Sequence, residues 1–226
     1  MFDGIAARYD LLNHVLSLNV DKRWRRALTE KLFATIADHS VEARILDVAC
    51  GTGDLSFTLR RNGSARVIGL DFSRPMLEVA RSKAKAQSIS VSLIEGDALS
   101  LPFADHSFTA VTIAFGLRNL TNIEGGFEEL IRVLKPGGRI AVLEFSKPVI
   151  PVFRSIFRFY FARILPLLGG LVSGSQSAYK YLPESVKRFP DQNELAALMS
   201  AAGFVDVDFE NLTGGIAALH FGTRPS

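Results

Sequence analysis

Three carboxylates stand at or just past the ends of three short apolar runs, and together they could hold a charged small molecule. Asp47 follows Arg44-Ile45-Leu46, Asp71 follows Val67-Ile68-Gly69-Leu70, and Asp97 comes after Val91-Ser92-Leu93-Ile94-Glu95-Gly96. Beside the first acid lies Cys50-Gly51-Thr52-Gly53-Asp54. Gly51 and Gly53 let the backbone approach a ligand, and the helix expected from Asp54 points unpaired N–H groups into the same crevice. This turn selects among nucleotides. A dinucleotide turn wants a third glycine where Ser56 stands, and a phosphate-binding loop wants Lys followed by Ser or Thr, which does not come after Gly53. An acid beside the turn suits a ligand with an ammonium group, and S-adenosylmethionine carries one. Asp71, 20 residues beyond Gly51, stands where a carboxylate accepts from both ribose hydroxyls. Asp97 could receive the adenine amino group, with Ala98 adding its backbone. A single acid after a strand is more often a cap or turn former, so the signal is the series of three.

The reactive end of such a donor would face the residues after the strand expected from Phe108 to Ala114, namely Phe115-Gly116-Leu117-Arg118-Asn119. They lack the Asp/Asn-Pro-Pro-aromatic run common in enzymes that methylate exocyclic amines of bases. Carbon methylation of cytosine needs a cysteine nucleophile, and the single cysteine, Cys50, lies in the turn. Arg118 and Asn119 offer a cation and an amide where an oxyanion develops. A guanidinium stays protonated and is no general base, but it stabilises an enolate or phenolate and lowers its pKa. Arg118 and Asn119 are therefore the candidate catalytic pair, with a structural ion pair as the other reading of Arg118. Tyr9, Asp10 and His14 are candidates for the proton relay if the amino-terminal segment folds over the site.

The elements that must position these groups alternate. Strands are expected at 44–48, from 66, from 91, at 108–114 and at 139–145, with helices from Asp54, from about Pro75 and over 123–134 between them. Such alternation builds a parallel, doubly wound α/β sheet. Lys135-Pro136-Gly137-Gly138 is expected to stop the last of these helices. Asp191 and Glu194 read as a capping box for a helix through Ala202. The stretches 204–212 and 216–222, joined through Thr213-Gly214-Gly215, read as a hairpin closing the sheet with an antiparallel edge. This is the class I methyltransferase plan, a Rossmann-like sheet with a C-terminal antiparallel hairpin strand. His220, on the last strand, is read as structural. One domain over 1–226 is the economical division, with a helical segment at 1–40, a donor-binding core at 41–147, a lid insertion at 148–190 and the helix and hairpin at 191–226.

Composition narrows the partners. Hydrophobic residues are 48% and charged residues 22% of the 226, as in ordinary globular domains. A net charge of +3, from 26 basic and 23 acidic residues, is too slight to imply a nucleic-acid groove. One cysteine allows no internal disulfide, and Met1 to Arg8 do not resemble a secretory signal, so a cytoplasmic protein is expected. Asp21 reads as the cap of a helix to about Ala37, with Trp24, Leu28, Leu32 and Ile36 facing a core. Lys22, Arg23, Arg25 and Arg26 crowd its first turn as a solvated face, or as an anchor for anionic head groups with Trp24 at the interface. The apolar 149–172 stretch is broken by Pro166, Gly169 and Gly170 and is too short to span a membrane. It reads as a lid whose aromatics form its own core or hold a lipid-like substrate. Monomer or homodimer is left open.

The residues then carry a resemblance. Arg132 to Ser146 (RVLKPGGRIAVLEFS), Phe115 to Asn119, and the tail Asn211 to Gly215 with Ala218-Leu219-His220 resemble the quinone-ring C-methyltransferases of menaquinone and ubiquinone biosynthesis, over nearly the whole chain. The amino-side pattern is similar at Tyr9, Asp10, Asn13, Ser17 and Trp24. It differs at Leu12, usually Met, and Asp21, usually His, and Ala114 stands where Ser is frequent. The resemblance implies donor contacts at Thr52, Asp71, Asp97 and Ala98, and a polyprenylated quinol as acceptor. It implies reduced substrate, menaquinone precursors before benzoquinols, and a peripheral approach to the membrane. A lipid or small-molecule methyltransferase and a non-catalytic donor-binding module are the other readings.

Overall fold

The computed structural model describes residues 19–36, 42–150 and 184–226. The amino-terminal relay candidates Tyr9, Asp10 and His14 and most of the expected lid lie outside the described residues. In chain order the elements are α1 (Val20–Thr35), β1 (Arg44–Val48), α2 (Asp54–Asn62), β2 (Arg66–Asp71), α3 (Arg74–Ala86), β3 (Ser92–Glu95) and β4 (Phe108–Ala114). After these come α4 (Ile123–Val133), β5 (Leu134–Phe145), α5 (Gln192–Ala201), β6 (Val205–Leu212) and β7 (Ala217–Thr223). Short 3-10 turns at Leu117–Asn119 and Thr213–Gly215 follow β4 and β6.

The strands form one sheet in the order β3-β2-β1-β4-β5-β7-β6, and every described pairing is parallel except those of β7. From β1 the chain moves outward to β2 and β3, then returns to place β4 on the other side of β1. The crevice at their carboxyl ends is therefore the switch point where ligands of open α/β sheets bind. Both faces of β1 are covered, which is why its sequence is nearly continuously apolar. Ile45 packs with Trp24, Leu28 and Leu32 of α1 and Leu55 and Leu59 of α2. Leu46 and Val48 pack on the other face with Phe127 and Leu130 of α4 and Leu195 and Met199 of α5. By the strand's period of two, Asp47 points to the α1 and α2 side.

Helix ends follow local chemistry. Ser73 accepts from the Met76 N–H ahead of Pro75 to open α3, Asn122 accepts from Gly125 N–H to open α4, and Asp191 and Glu194 form the expected capping box on α5. Asp21 does not cap α1. Asn19, in the left-handed region, precedes a helix that already begins at Val20, and Asp21 is buried inside the first turn, paired with Arg25. Its carboxylate, already inside the helix, is taken up by the guanidinium one turn on.

Two expectations about strands change. Lys135-Pro136-Gly137-Gly138 does not separate α4 from β5. The strand begins at Leu134, opposite Phe108, and takes these residues in as an irregularity against β4, with Gly137 at φ 71°. Their backbone is hydrogen-bonded to Arg224, Gly137 N–H to its carbonyl and Gly138 O from its N–H. The antiparallel strand is also not the edge. β7 lies between β5 and β6, and β6 is outermost. Burial explains it, since Ala217 to His220 are buried whereas β6 carries Asp206, Asp208 and Glu210 toward solvent. Among the described residues no helix is long and apolar enough to cross a membrane.

Candidate active site

The crevice is floored by backbone in unusual conformations. Ala49 (φ 51°), Gly51 (φ 55°) and Gly53 (φ 86°) turn the chain from β1 into α2, and Phe115 (φ 58°) turns it out of β4. The two turns touch so closely that a Cβ on Gly116 would lie 2.4 Å from the Ala49 methyl. A Cβ on Gly53 would strike the Phe57 ring, whereas one on Gly51 would meet nothing within 4 Å, so space is open over the turn at Gly51. Gly51 N–H donates to Asp71 Oδ2 (2.7 Å) and Ser73 N–H to Asp71 Oδ1 (2.8 Å), fixing the β2 carboxylate beside the glycine turn. Lys83 of α3 reaches over to Thr52 Oγ1 (3.4 Å) and Asp54 Oδ1 (2.5 Å).

Asp47 is fully buried. Ser56 donates to its Oδ2 (2.5 Å) and Thr112 of β4 to its Oδ1 (2.9 Å). Ser56 thus replaces the third glycine of a dinucleotide turn with a donor for the acid of β1. Burial pushes the Asp47 carboxyl up to about 6, against the pull of both hydroxyls and of the Arg25 charge. Burial and the charges of Asp47 and Asp71 likewise push the Cys50 thiol up, so it is poorly suited to act as a nucleophile. At the next strand end Asp97 is exposed and accepts from Leu99 N–H (2.9 Å), and Ala98 is buried. Asp97, Asp71, the glycine turn and Arg118 therefore line consecutive strand ends from β3 to β4. Three strand spacings make that row about 14 Å long, the scale of an extended nucleoside with an amino-acid arm.

On the far side of the crevice Arg118 is buried, its side chain 5% exposed. Its Nη1 donates to Glu144 Oε1 at 2.7 Å and also to the Phe115 carbonyl, and the guanidinium lies 5.4 Å from the Phe145 ring centroid. Glu144, 1% exposed at the carboxyl end of β5, also accepts from the backbone N–H of Phe145 (2.9 Å) and Arg118 (3.3 Å). Among the described residues, Arg118 Nε is buried with no hydrogen-bond partner. Asn119 Nδ2 lies 3.5 Å from the same Phe115 carbonyl. The structure thus brings the donor set to one side of the β1–β4 switch and the Arg118–Asn119 pair to the other. Glu144 went without a role in the sequence reading, though a lone carboxylate in the apolar run Ile140 to Phe145 is a signal in itself.

Trp24 is not at an interface. It is 6% exposed, packs on Phe145 edge-on and on Phe115 tilted, and donates its indole N–H to Thr213 Oγ1 (3.0 Å). His220 is structural: its Nε2 lies 2.8 Å from the Gln192 carbonyl, and burial holds its pKa down. Among the described residues no group of His, Cys, Asp or Glu could hold a metal ion.

A glycine turn with open space above it, a fixed carboxylate at the end of β2 and an antiparallel β7 beside β5 define an S-adenosylmethionine-dependent methyltransferase. The chain belongs to the ubiE/COQ5 methyltransferase family, whose model matches residues 1–224. It is 52% identical over 226 residues to a demethylmenaquinone methyltransferase of Thermus thermophilus, with both chains covered completely. It is 43% identical over 228 residues to a ubiquinone/menaquinone biosynthesis C-methyltransferase UbiE of Geotalea daltonii, covering 99% of this chain and 94% of that one. The fold is shared with a SAM-dependent methyltransferase of Thermotoga maritima, at TM-score 0.65 and 19% identity over 99% of this chain and 97% of the other.

Proposed function

We propose that this chain methylates a ring carbon of a polyprenylated quinol, with demethylmenaquinol as acceptor. Bound S-adenosylmethionine supplies an electrophilic methyl group on a sulfonium. What the protein must add is an electron-rich acceptor carbon held in line with it. The observation that carries the reading is the buried Arg118 beside the crevice. In this reading the guanidinium, held by Glu144, stands next to the acceptor's hydroxyl, where it favours the phenolate that makes the ring carbon nucleophilic. On transfer the methyl–carbon bond would form as the sulfur–methyl bond broke, leaving S-adenosylhomocysteine, while the hydroxyl proton and then the ring proton would pass to water and the aromatic quinol would be restored. Asn119, beside the same carbonyl, orients the acceptor oxygen. Asp47, Gly51, Thr52, Gly53, Asp71, Asp97 and Ala98 hold the donor in this reading. The name of the Thermus relative favours the naphthoquinol ring, and that of the Geotalea relative keeps a benzoquinol as second reading.

Incubation with methyl-labelled donor and each reduced ring type tests this. Label should enter the demethylmenaquinol ring, and Arg118→Ala should lower turnover at least 100-fold while changing donor affinity less than about threefold. Equal losses of turnover and donor binding, or label in neither ring, would refute it. The exposed Lys22, Arg23 and Arg26 of α1 support a peripheral contact with anionic lipid. Salt-sensitive sedimentation with phosphatidylglycerol vesicles is expected, and absence of binding at low salt excludes that contact.

A further inference from the structure

The donor's amino-acid arm carries two opposite charges, an ammonium and a carboxylate, and an acid such as Asp47 complements only the first. The complement to the second lies on α1. Arg25 donates through Nη1 to Asp21, one turn earlier on the helix, and both side chains are nearly buried, 12% and 4% exposed. Its guanidinium carbon lies 5.5 Å from the ring centroid of Phe115, the residue that leads out of β4. Its positive charge is felt by Asp47, which shares the α1-facing side of β1 with Ile45. Arg25 therefore sits over the carboxyl ends of β1 and β4, at the switch point itself. An Asp–Arg pair one turn apart is commonplace on an exposed helix face and weak there. Buried against an aromatic ring it carries a desolvation cost, which a surface pair avoids. Among the described residues Nε and Nη2 of Arg25 make no hydrogen bond. That is the side edge of the guanidinium, which matches two carboxylate oxygens.

We propose that Arg25 receives the α-carboxylate of the methyl donor, with Asp21 holding Nη1 so that the Nε–Nη2 edge faces the crevice. The assignment rests on the donor lying over the glycine turn with its ammonium toward Asp47. Titration calorimetry of the full chain with S-adenosylmethionine and with decarboxylated S-adenosylmethionine tests it without any acceptor. The unmodified protein should prefer the carboxylated donor roughly 30-fold, the scale of a charge-assisted pair. Arg25→Ala should bring the two affinities together by weakening only the carboxylated donor. Arg25→Lys should keep part of the preference, since it retains the charge but not the fork. Because the readout is a ratio within each variant, general loosening of the fold cancels. Equal affinity of the unmodified protein for both ligands overturns the inference, as does an Arg25→Ala variant that weakens both alike. Binding of neither ligand overturns the donor site and this assignment with it.

Discussion

Arg118 and Arg132 each pair with a glutamate at 2.7 Å, yet one pair is sealed beneath the crevice and the other lies near the surface. Arg118 and Glu144 are 5% and 1% exposed. Arg132 is 30% exposed and shares itself among Glu129, Asp105 and the carbonyls of Leu101 and Phe103. The contact is chemically the same, but its cost is not. Near water, a guanidinium that ties a loop to α4 contributes through several hydrogen bonds, and each is replaceable by solvent. In the core, two charges without water are stable only together, and losing either partner strands the other. Asp47 is a third case, as buried as Glu144 but held by the hydroxyls of Ser56 and Thr112. A fold that needed only stability could fill these positions with apolar side chains. Buried charge at the carboxyl ends of β1, β4 and β5 supports the proposed site there.

The strongest break of that comparison is Glu144→Ala. It should cost about 3–5 kcal/mol in denaturant unfolding and abolish turnover. The double variant Arg118→Met/Glu144→Leu sharpens it further, since stability should return to near that of the parent while turnover stays lost. If the double variant is no more stable than Glu144→Ala, the desolvation argument fails. Asp47→Asn comes next, through pH. Asp47 titrates near 6 when folded against an ordinary value of 3.8, so the folded chain keeps a proton that the unfolded chain has released. Stability from this group is full below pH 3.8 and is lost as pH rises through 6, about 3 kcal/mol in all. Unfolding curves from pH 3.5 to 7.5 should therefore show Asp47→Asn gaining on the parent as pH rises. A pH-independent difference would mean that Asp47 stays ionised throughout. The smallest effect belongs to Arg132→Ala, roughly 1–2 kcal/mol from its bonds to the 101–103 carbonyls. Its donor affinity and turnover per folded molecule should be unchanged, and a selective loss of turnover would tie this outer cluster to the site.

Much of the site could be read along the chain because its parts are local. Gly51 and Gly53 occur where the backbone requires positive φ, and Asp71 falls at the end of β2 because a strand of six residues ends there. The start of the helix over 192–201 was legible from the spacing of Asp191 and Glu194. What escaped the reading depends on partners distant in sequence. Glu144 meets Arg118 across 26 positions, and Thr112 meets Asp47 across 65. Trp24 finds Thr213 across 189, which turned a residue suited to a membrane interface into one locked in the core. The order of the last two strands escaped for a similar reason, since a hairpin pattern does not say which of its strands joins the sheet.

The sequence by itself determined the alternating α/β elements, the glycine turn and the acids that end the strands, because periodicity, caps and turn residues act over a few positions. Only the tertiary structure decided which charges lie without water. It sealed Arg118 against Glu144, raised Asp47 to about 6 and laid Arg25 over Phe115. Burial and pairing are properties of the packed strand ends, and neither is written in any short stretch of the chain.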